Sequence, residues 1–208
     1  AFQTRDEIPF KSNYSHAQET AEPGYYSVFL NDFNVKAELT SDLRTAYHKY
    51  TFDENDKQSL IIDLSFAFNW DKAELSHLKI EDKFTVSGFR HSSGWAANQK
   101  VFFVAKFSKS IKGFDLVSDE VYSNQASVTG LKTSAQLYFN HLSDVELNVK
   151  VGLSSVSIEN AFENISDSVQ SFDDVKNKAS ENWNQALSKI KIETPVDSLK
   201  TIFYTALY

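Results

Sequence analysis

The residues best suited to binding chemistry lie together in residues 88–96, which read Gly-Phe-Arg-His-Ser-Ser-Gly-Trp-Ala. This segment places a cation, two hydroxyls and an indole between two predicted strands, and loops on rigid sheets are where ligand contacts concentrate. An indole face packs on the C–H bonds of a sugar, while charged donors hold its hydroxyl groups. The segment therefore predicts a sugar-contacting loop. The residues also leave open a hairpin whose Trp95 plugs the end of a sandwich.

The rest of the sequence offers no recognisable catalytic or metal-binding motif. Asp53, Glu54 and Asp56 form an acidic cluster that is typical of a solvated turn. Glycoside hydrolysis needs two carboxyl groups that face each other across a sugar, about 6.5–9.5 Å apart in inverting enzymes, and no spacing in the sequence indicates such a pair. Taken alone, the acidic residues therefore identify no catalytic pair, and they show no ligand spacing of the kind that a calcium loop provides. None of the histidines belongs to a recognisable motif, and they lie at least about 14 residues apart along the chain. They are His16, His48, His77, His91 and His141.

The composition argues against several classes of function. The chain has 208 residues and a formal net charge of −7, which argues against binding to nucleic acid or to anionic lipid. It contains no cysteine, which excludes a disulfide framework, a thiolate zinc site and a cysteine nucleophile. Its apolar runs are too short to span a bilayer, so no membrane segment is predicted.

The elements that would position the candidate loop are strands. Residues 25–30 and the alternating run 35–40 flank Asn31 and Asp32, which is the pattern of a hairpin. Turn residues separate further short runs at 45–52, 60–66, 83–90, 101–107, 112–117, 134–141 and 145–153. About ten strands with turns every 8–12 residues predict an antiparallel β-sandwich over residues 1–153.

Beyond Ser154 the apolar period changes from two to about 3.6, which predicts helices. Residues 154–193 are expected to form two linker helices, the first opened by Ser157 and the second by a capping box of Ser171 and Asp174. Thr194 as N-cap, with Pro195 after it, predicts a third helix over 194–208. Its apolar stripe lacks a stop signal at Tyr208, so we expect this helix to be the first of a truncated helical domain.

Several stretches, taken together and in order from about residue 14 to the end, resemble glycoside hydrolase family 92. They include Tyr14-Ser15-His16, Pro23-Gly24-Tyr25-Tyr26-Ser27-Val28, Val35-Lys36-Ala37-Glu38-Leu39-Thr40, His48-Lys49-Tyr50-Thr51-Phe52, Arg90 through Trp95-Ala96, Val149-Lys150-Val151-Gly152-Leu153-Ser154, Trp183-Asn184, and Phe203-Tyr204-Thr205-Ala206-Leu207-Tyr208.

The resemblance implies the N-terminal β-sandwich of an α-1,2-mannosidase, an inverting, calcium-dependent exo-α-mannosidase of bacterial N-glycan degradation. It implies a periplasmic, cell-surface or secreted location, a mannose-containing glycan as substrate, and a C-terminal helical barrel domain as partner. The family's general acid, general base and calcium ligands belong to that barrel. The chain alone is therefore expected to be inactive and to hold no calcium.

The resemblance carries over a small set of pocket-wall candidates, for which we expect contact with substrate: Arg90, Ser92, Ser93, Gly94, Trp95 and His16. Two other functions stay open. A free-standing carbohydrate-binding sandwich would present exposed, coplanar aromatic rings. A purely structural module would leave the apolar face of the last helix as its main interaction surface.

Overall fold

The computed structural model describes residues 11–53, 58–67, 70–139, 145–166 and 170–208. In this part of the chain a short 3-10 helix at His16–Gln18 precedes thirteen strands. The strands are β1 (Glu19–Glu22), β2 (Tyr25–Leu30), β3 (Val35–Ser41), β4 (Thr45–Thr51), β5 (Ser59–Asp63), β6 (Lys72–Asp82), β7 (Thr85–Ser93), β8 (Gln99–Phe107), β9 (Ile111–Ser118), β10 (Val121–Ser123), β11 (Ser127–Gly130), β12 (Thr133–Phe139) and β13 (Glu146–Ser154).

The strands form two antiparallel sheets, as the turn spacing predicts. The large sheet has the order β1-β2-β3-β4-β13-β8-β7-β6-β11, and the small sheet has the order β10-β9-β12-β5. The hairpin predicted at Asn31 and Asp32 is present, because Leu30 of β2 pairs with Val35 of β3. The predicted mainly-β sandwich followed by helices is thus confirmed.

The main core lies between the two sheets. Strand residues alternate between faces, so every second side chain of the large sheet points toward the small sheet. The side chains here that solvent does not reach are Leu78, Val86 and Leu147 of the large sheet and Leu116 and Leu137 of the small sheet. Burying a side chain of this kind stabilises the fold by about 1.5–3 kcal/mol.

Helices α1 (Ile158–Ser166) and α2 (Phe172–Leu187) cover the other face of the large sheet. Ala161 and Ile165 of α1 pack on Val104, while Phe172 and Val175 of α2 pack on Tyr47. The Ser157 hydroxyl accepts a hydrogen bond from the Asn160 amide. The predicted capping box is also present, because the Ser171 and Asp174 side chains each accept from the other's backbone amide. The molecule therefore has three layers.

Helix α3 (Asp197–Leu207) begins later than predicted. The expected N-cap at Thr194 is wrong: Val196 is the N-cap residue and makes no side-chain capping bond. Thr194 instead accepts a hydrogen bond from the Val196 amide at 3.2 Å, so its hydroxyl closes a local turn ahead of the helix. Helix α3 folds back toward α2, with the rings of Tyr208 and Trp183 4.5 Å apart.

Four observed strands lie outside the runs predicted as strands: β1, β6, β10 and β11. Strand β6 reads Lys-Ala-Glu-Leu-Ser-His-Leu-Lys-Ile-Glu-Asp, so its polar residues hide the alternation that places Leu78 in the core.

Asp53 is exposed, as expected for a turn, whereas Glu54, Asp56 and His141 lie outside the described residues. Within the described residues, none of the helices combines the length and apolar character that crossing a bilayer requires.

Gly152 of β13 allows α1 to approach the large sheet. A Cβ at this position would overlap the carbonyl oxygen of Ala161, a backbone atom of α1 that cannot rotate away. We expect Gly152→Ala to push α1 outward and to lower the free energy of unfolding by about 1–3 kcal/mol, the usual cost of overpacking. Urea denaturation of the purified chain measures this.

Gly113→Ala is the matched control for that experiment. A Cβ on Gly113 of β9 would meet only the Tyr138 side chain, at an ordinary 3.7 Å. Its stability should stay the same or rise by up to about 1 kcal/mol, because alanine restricts the unfolded chain more than glycine does. Equal losses for both variants would show that the approach of α1 is not what requires Gly152.

Candidate substrate-binding site

Most of the segment predicted as a loop belongs to strand β7. Residues 88–93 continue the ladder, with Arg90 opposite Val101 of β8 and opposite Ser76 of β6. The expectation of a loop across residues 88–96 is therefore wrong for its first part, and only residues 94–98 form the turn to β8. Glycine and serine favour turns locally, but hydrogen bonding to a strand on each side overrides that preference here.

The strand alternation sends the candidates of β7 to opposite faces. Arg90 and Ser92 face the small sheet and line an open cleft of about 390 Å³ between the sheets. His91 lies on the face that carries the helices, where it stacks on Phe89 at 4.7 Å. Ser93 is half-buried on the same side as His91. The structure thus separates residues that adjoin one another in the sequence.

The Arg90 guanidinium joins two parts of the sandwich. Its Nε donates to the carbonyl oxygen of Leu64 at 3.1 Å, and its Nη2 donates to Asp71 Oδ2 at 2.7 Å. The Arg90 and Asp71 side chains are only 20% and 30% exposed. Leu64 follows strand β5 of the small sheet, and Asp71 precedes strand β6 of the large sheet. Arg90 therefore acts as a brace between the sheets.

The remaining polar side chains of the cleft are neutral. His48 Nδ1 and the Tyr50 hydroxyl are 2.9 Å apart. Burial lowers the pKa of His48 and raises the pKa of Tyr50 to about 12. None of the described residues that line the cleft is acidic. The cleft therefore offers a mainly apolar surface without a carboxylate among its described lining residues.

The turn after β7 is packed tightly against the start of β6. A Cβ on Gly94 would lie 3.1 Å from Asp71 Cα, which is closer than an ordinary contact. The Gly94 amide donates to the carbonyl oxygen of Ala96 at 3.0 Å, which closes the turn. Ser92, two residues earlier, is buried at 3% exposure. The burial of Ser92 and the close packing of Gly94 on Asp71 thus fix the base of the turn.

Trp95 lies at the tip of this turn and is 91% exposed. The interpretation in which it plugs the end of the sandwich is therefore wrong. Its ring contacts Trp70, which is 55% exposed, with the ring centroids 5.4 Å apart and the planes at 54°. Trp70 was missed from the sequence because only the unpredicted strand β6, beginning at Lys72, brings it beside Trp95.

His16 lies far from the other candidates. It precedes β1 at the outer edge of the large sheet, and six strand spacings of about 4.8 Å separate β1 from β7, roughly 29 Å along the sheet. Its Nδ1 contacts Glu19 Oε2 at 2.5 Å. Hydrogen bonds from Tyr26 and His16 lower the pKa of Glu19. The structure does not bring His16 together with Trp95.

The potential metal ligands lie apart from one another in the described ranges, from residue 11 to residue 208 with their gaps. Within them, no group of three His, Asp or Glu side chains is placed to hold a metal ion. Oxygen-rich calcium sites require six to eight ligands around the ion. The described residues therefore do not fit a calcium site.

Two family models match consecutive parts of the chain. The model of the glycosyl hydrolase family 92 N-terminal domain matches residues 2–154, and that of the family 92 catalytic domain matches residues 159–208. The first match ends with strand β13, and the second begins within helix α1. No curated protein sequence matches the chain significantly.

Solved structures of this family share the fold. The family GH92 α-mannosidase BT3965 from Bacteroides thetaiotaomicron is 31% identical over 95% of this chain, with a TM-score of 0.88. Its complex with mannoimidazole is 29% identical over 90%, with a TM-score of 0.83. The family GH92 inverting mannosidase BT2199 from Bacteroides thetaiotaomicron VPI-5482 is 27% identical over 95%, with a TM-score of 0.82.

The matched region is only part of each of those proteins. This chain spans 28% of the length of BT3965 and 26% of the length of BT2199. The N-terminal domain model nevertheless covers well over half of the 208 residues, and the two-sheet fold with its following helices agrees with the solved structures. The chain therefore belongs to glycosyl hydrolase family 92.

Proposed function

We propose that this chain supplies the N-terminal β-sandwich and the first helices of an inverting exo-α-mannosidase, and that its Trp95 turn forms one wall of the substrate pocket. The observation that carries the proposal is the 91% exposed indole of Trp95 on a turn held by Arg90, Asp71 and Gly94. Together with the adjoining ring of Trp70, which is 55% exposed, it forms an exposed apolar patch, and contiguous patches of this kind mark interaction sites.

The proposed substrate is a mannose-containing glycan with a terminal α-1,2 linkage, such as an N-glycan. Support comes from the mannosidase names of the similar structures and from the mannoimidazole bound to one of them. Bacteria meet such glycans outside the cytoplasm, so the proposal includes a periplasmic, cell-surface or secreted location.

In this proposal the chain contributes binding and positioning. The indole face of Trp95 packs on the C–H bonds of the sugar and removes water from that side. Arg90 is a positioning residue, since its bonds to Leu64 and Asp71 fix the base of the turn. The general acid and general base, which inverting hydrolysis needs about 6.5–9.5 Å apart, belong to the rest of the complete enzyme.

Calcium dependence is proposed for the complete enzyme and not for this chain. The described residues do not group as a calcium site, so any ion would be held by residues beyond them.

The proposed partner of the sandwich is the remainder of a helical barrel in the same protein. Helix α3 leaves Ile202 64% exposed and Leu207 39% exposed on one stripe, followed by Tyr208 at 61%. Helices α2 and α3 both fall within the part that matches the catalytic domain model. The exposed stripe of α3 is suited to packing on further helices of that domain.

The complete enzyme carrying Trp95→Ala tests the pocket wall. We expect the KM for a mannoside to rise about tenfold, since a lost stacking contact costs about 0.5–1.5 kcal/mol beyond its area, while kcat changes little. Tyr122→Ala is the matched control, because Tyr122 is 73% exposed on β10 of the small sheet.

The proposed inversion is tested separately, by following the anomeric form of the first product by NMR.

Two results would contradict the proposal. An unchanged KM in Trp95→Ala would show that the turn does not belong to the substrate pocket. A complete enzyme that binds mannosides without cleaving them would favour a carbohydrate-binding module. The exposed aromatic rings are one feature of such a module, but the 54° angle between Trp70 and Trp95 departs from the coplanar platform expected for it.

A further inference from the structure

Trp70 and Trp95 form an open pair of indole rings at one end of the sandwich. They come from two different turns, one before β6 and one between β7 and β8. The ring planes meet at 54° with centroids 5.4 Å apart, so their faces open as a V toward solvent. The third tryptophan, Trp183, differs because it is half-buried and contacts Tyr208 of α3.

The contacts beneath the pair hold together the two backbone segments that carry the rings. Asp71 directly follows Trp70, and Gly94 directly precedes Trp95. Asp71 binds Arg90 at 2.7 Å and lies so close to Gly94 that a side chain there would have to displace it. The two segments are therefore held side by side before any ligand arrives, and a site that is already positioned loses less entropy on binding.

The size of the exposed surface fits a sugar better than a protein. A tryptophan side chain buries about 150–250 Å² when it is fully covered, so these two partly exposed rings offer at most about 400 Å². A stable protein interface buries about 800 Å² on each partner. The exposed residues that follow Trp95 contain no large apolar side chain; they are Ala96, Ala97 and Asn98 in the turn and Gln99 and Lys100 at the start of β8.

We propose that Trp70 and Trp95 together form an aromatic cradle for the sugar units of a glycan that follow its terminal mannose. The inference rests on the proposed function, in which Trp95 borders the pocket for the terminal residue. In this proposal the Trp70 ring, whose centroid lies 5.4 Å from that of Trp95, contacts the next pyranose unit along the glycan. Its role is to select longer glycans, since a single mannose would not reach it.

The test compares two substrates on the complete enzyme. The first is α-mannosyl fluoride, whose leaving group is a single atom, and the second is an α-1,2-linked mannotriose. Trp70→Ala should lower kcat/KM for mannotriose about tenfold and leave kcat/KM for the fluoride within twofold, since the stacking contact exists only with the longer ligand. Trp70→Phe should restore part of the loss. Tyr122→Ala should alter neither value.

Two kinetic results would overturn the cradle. An equal fall on both substrates would place Trp70 in the terminal pocket or in a purely structural role. Unchanged values on both would mean that the ring touches no substrate. Iodide quenching of tryptophan fluorescence adds a check, because a Trp70 covered by another domain would not be quenched, and that too would exclude the cradle.

Failure of the proposed function is a separate outcome. If the wild-type enzyme cleaves neither substrate, mannotriose is titrated into it while tryptophan fluorescence is followed. A saturable change that is lost in Trp70→Ala and kept in Tyr122→Ala would support the cradle without hydrolysis. Absence of any change would overturn it.

Discussion

Residues 1–208 on their own are expected to release no product from an activated aryl α-mannoside above the rate in buffer, with or without calcium. Enzymes of this kind accelerate their reactions at least about a millionfold, and the acceleration depends on proton transfers by a facing acid and base. In the proposed function those two groups lie outside this chain. The expected effect is thus the loss of the entire rate enhancement.

The measurement is release of the aryl group over a day, with purified chain at high concentration. A preparation from cells that carry the empty vector is the control for mannosidases of the host. The complete enzyme under the same conditions shows that the substrate is suitable. Turnover that disappears when a single Asp or Glu of residues 1–208 is replaced would show that the chemistry lies within this chain.

Leu78→Ala is expected to lower the free energy of unfolding by about 2–5 kcal/mol, the range for removing a buried leucine and leaving a cavity. Leu78 of β6 is fully buried between the sheets, where it belongs to the cluster with Val86 and Leu137. A loss of this size is a large fraction of the 5–15 kcal/mol that typical domains have in total.

Leu43→Ala is the matched control, because Leu43 lies in the turn between β3 and β4 and is fully exposed. The same chemical change should cost less than about 0.5 kcal/mol there. Urea denaturation followed by circular dichroism measures both variants. A small loss for Leu78→Ala would show that β6 contributes little to the core and that its placement in the large sheet is wrong.

The sequence carried enough information for the architecture but not for every strand. Alternation predicted β3, and the signals at Ser157 and Ser171 predicted where α1 and α2 begin. Strand β6 was missed because Lys, Glu, Ser and His occupy most of its positions. Strand β6 forms because it hydrogen-bonds to its neighbours β7 and β11, and pairing of that kind depends on the tertiary structure.

The residues of the candidate site were likewise only partly predictable from the sequence. Trp95 was identified because it adjoins Arg90 and two glycines in the sequence, and it does lie on an exposed turn. Trp70 lies far from it along the chain, and nothing near Trp70 marks it as a binding residue. His16 was proposed for the same site, yet the strand order places it at the opposite part of the sheet. Proximity across strands depends on topology, which local patterns do not encode.

Strand β13 has a consequence for how the chain is made. It is the last strand in the sequence, yet it lies in the middle of the large sheet between β4 and β8. While the nascent chain emerges from the ribosome, β1 to β4 and β6 to β8 can form hairpins, but β4 and β8 each keep an unpaired edge. Long-range pairing of this kind is slow, and exposed edges attract other chains. The large sheet can close only after Ser154 has left the exit tunnel, and until then both edges are open to pairing with other chains.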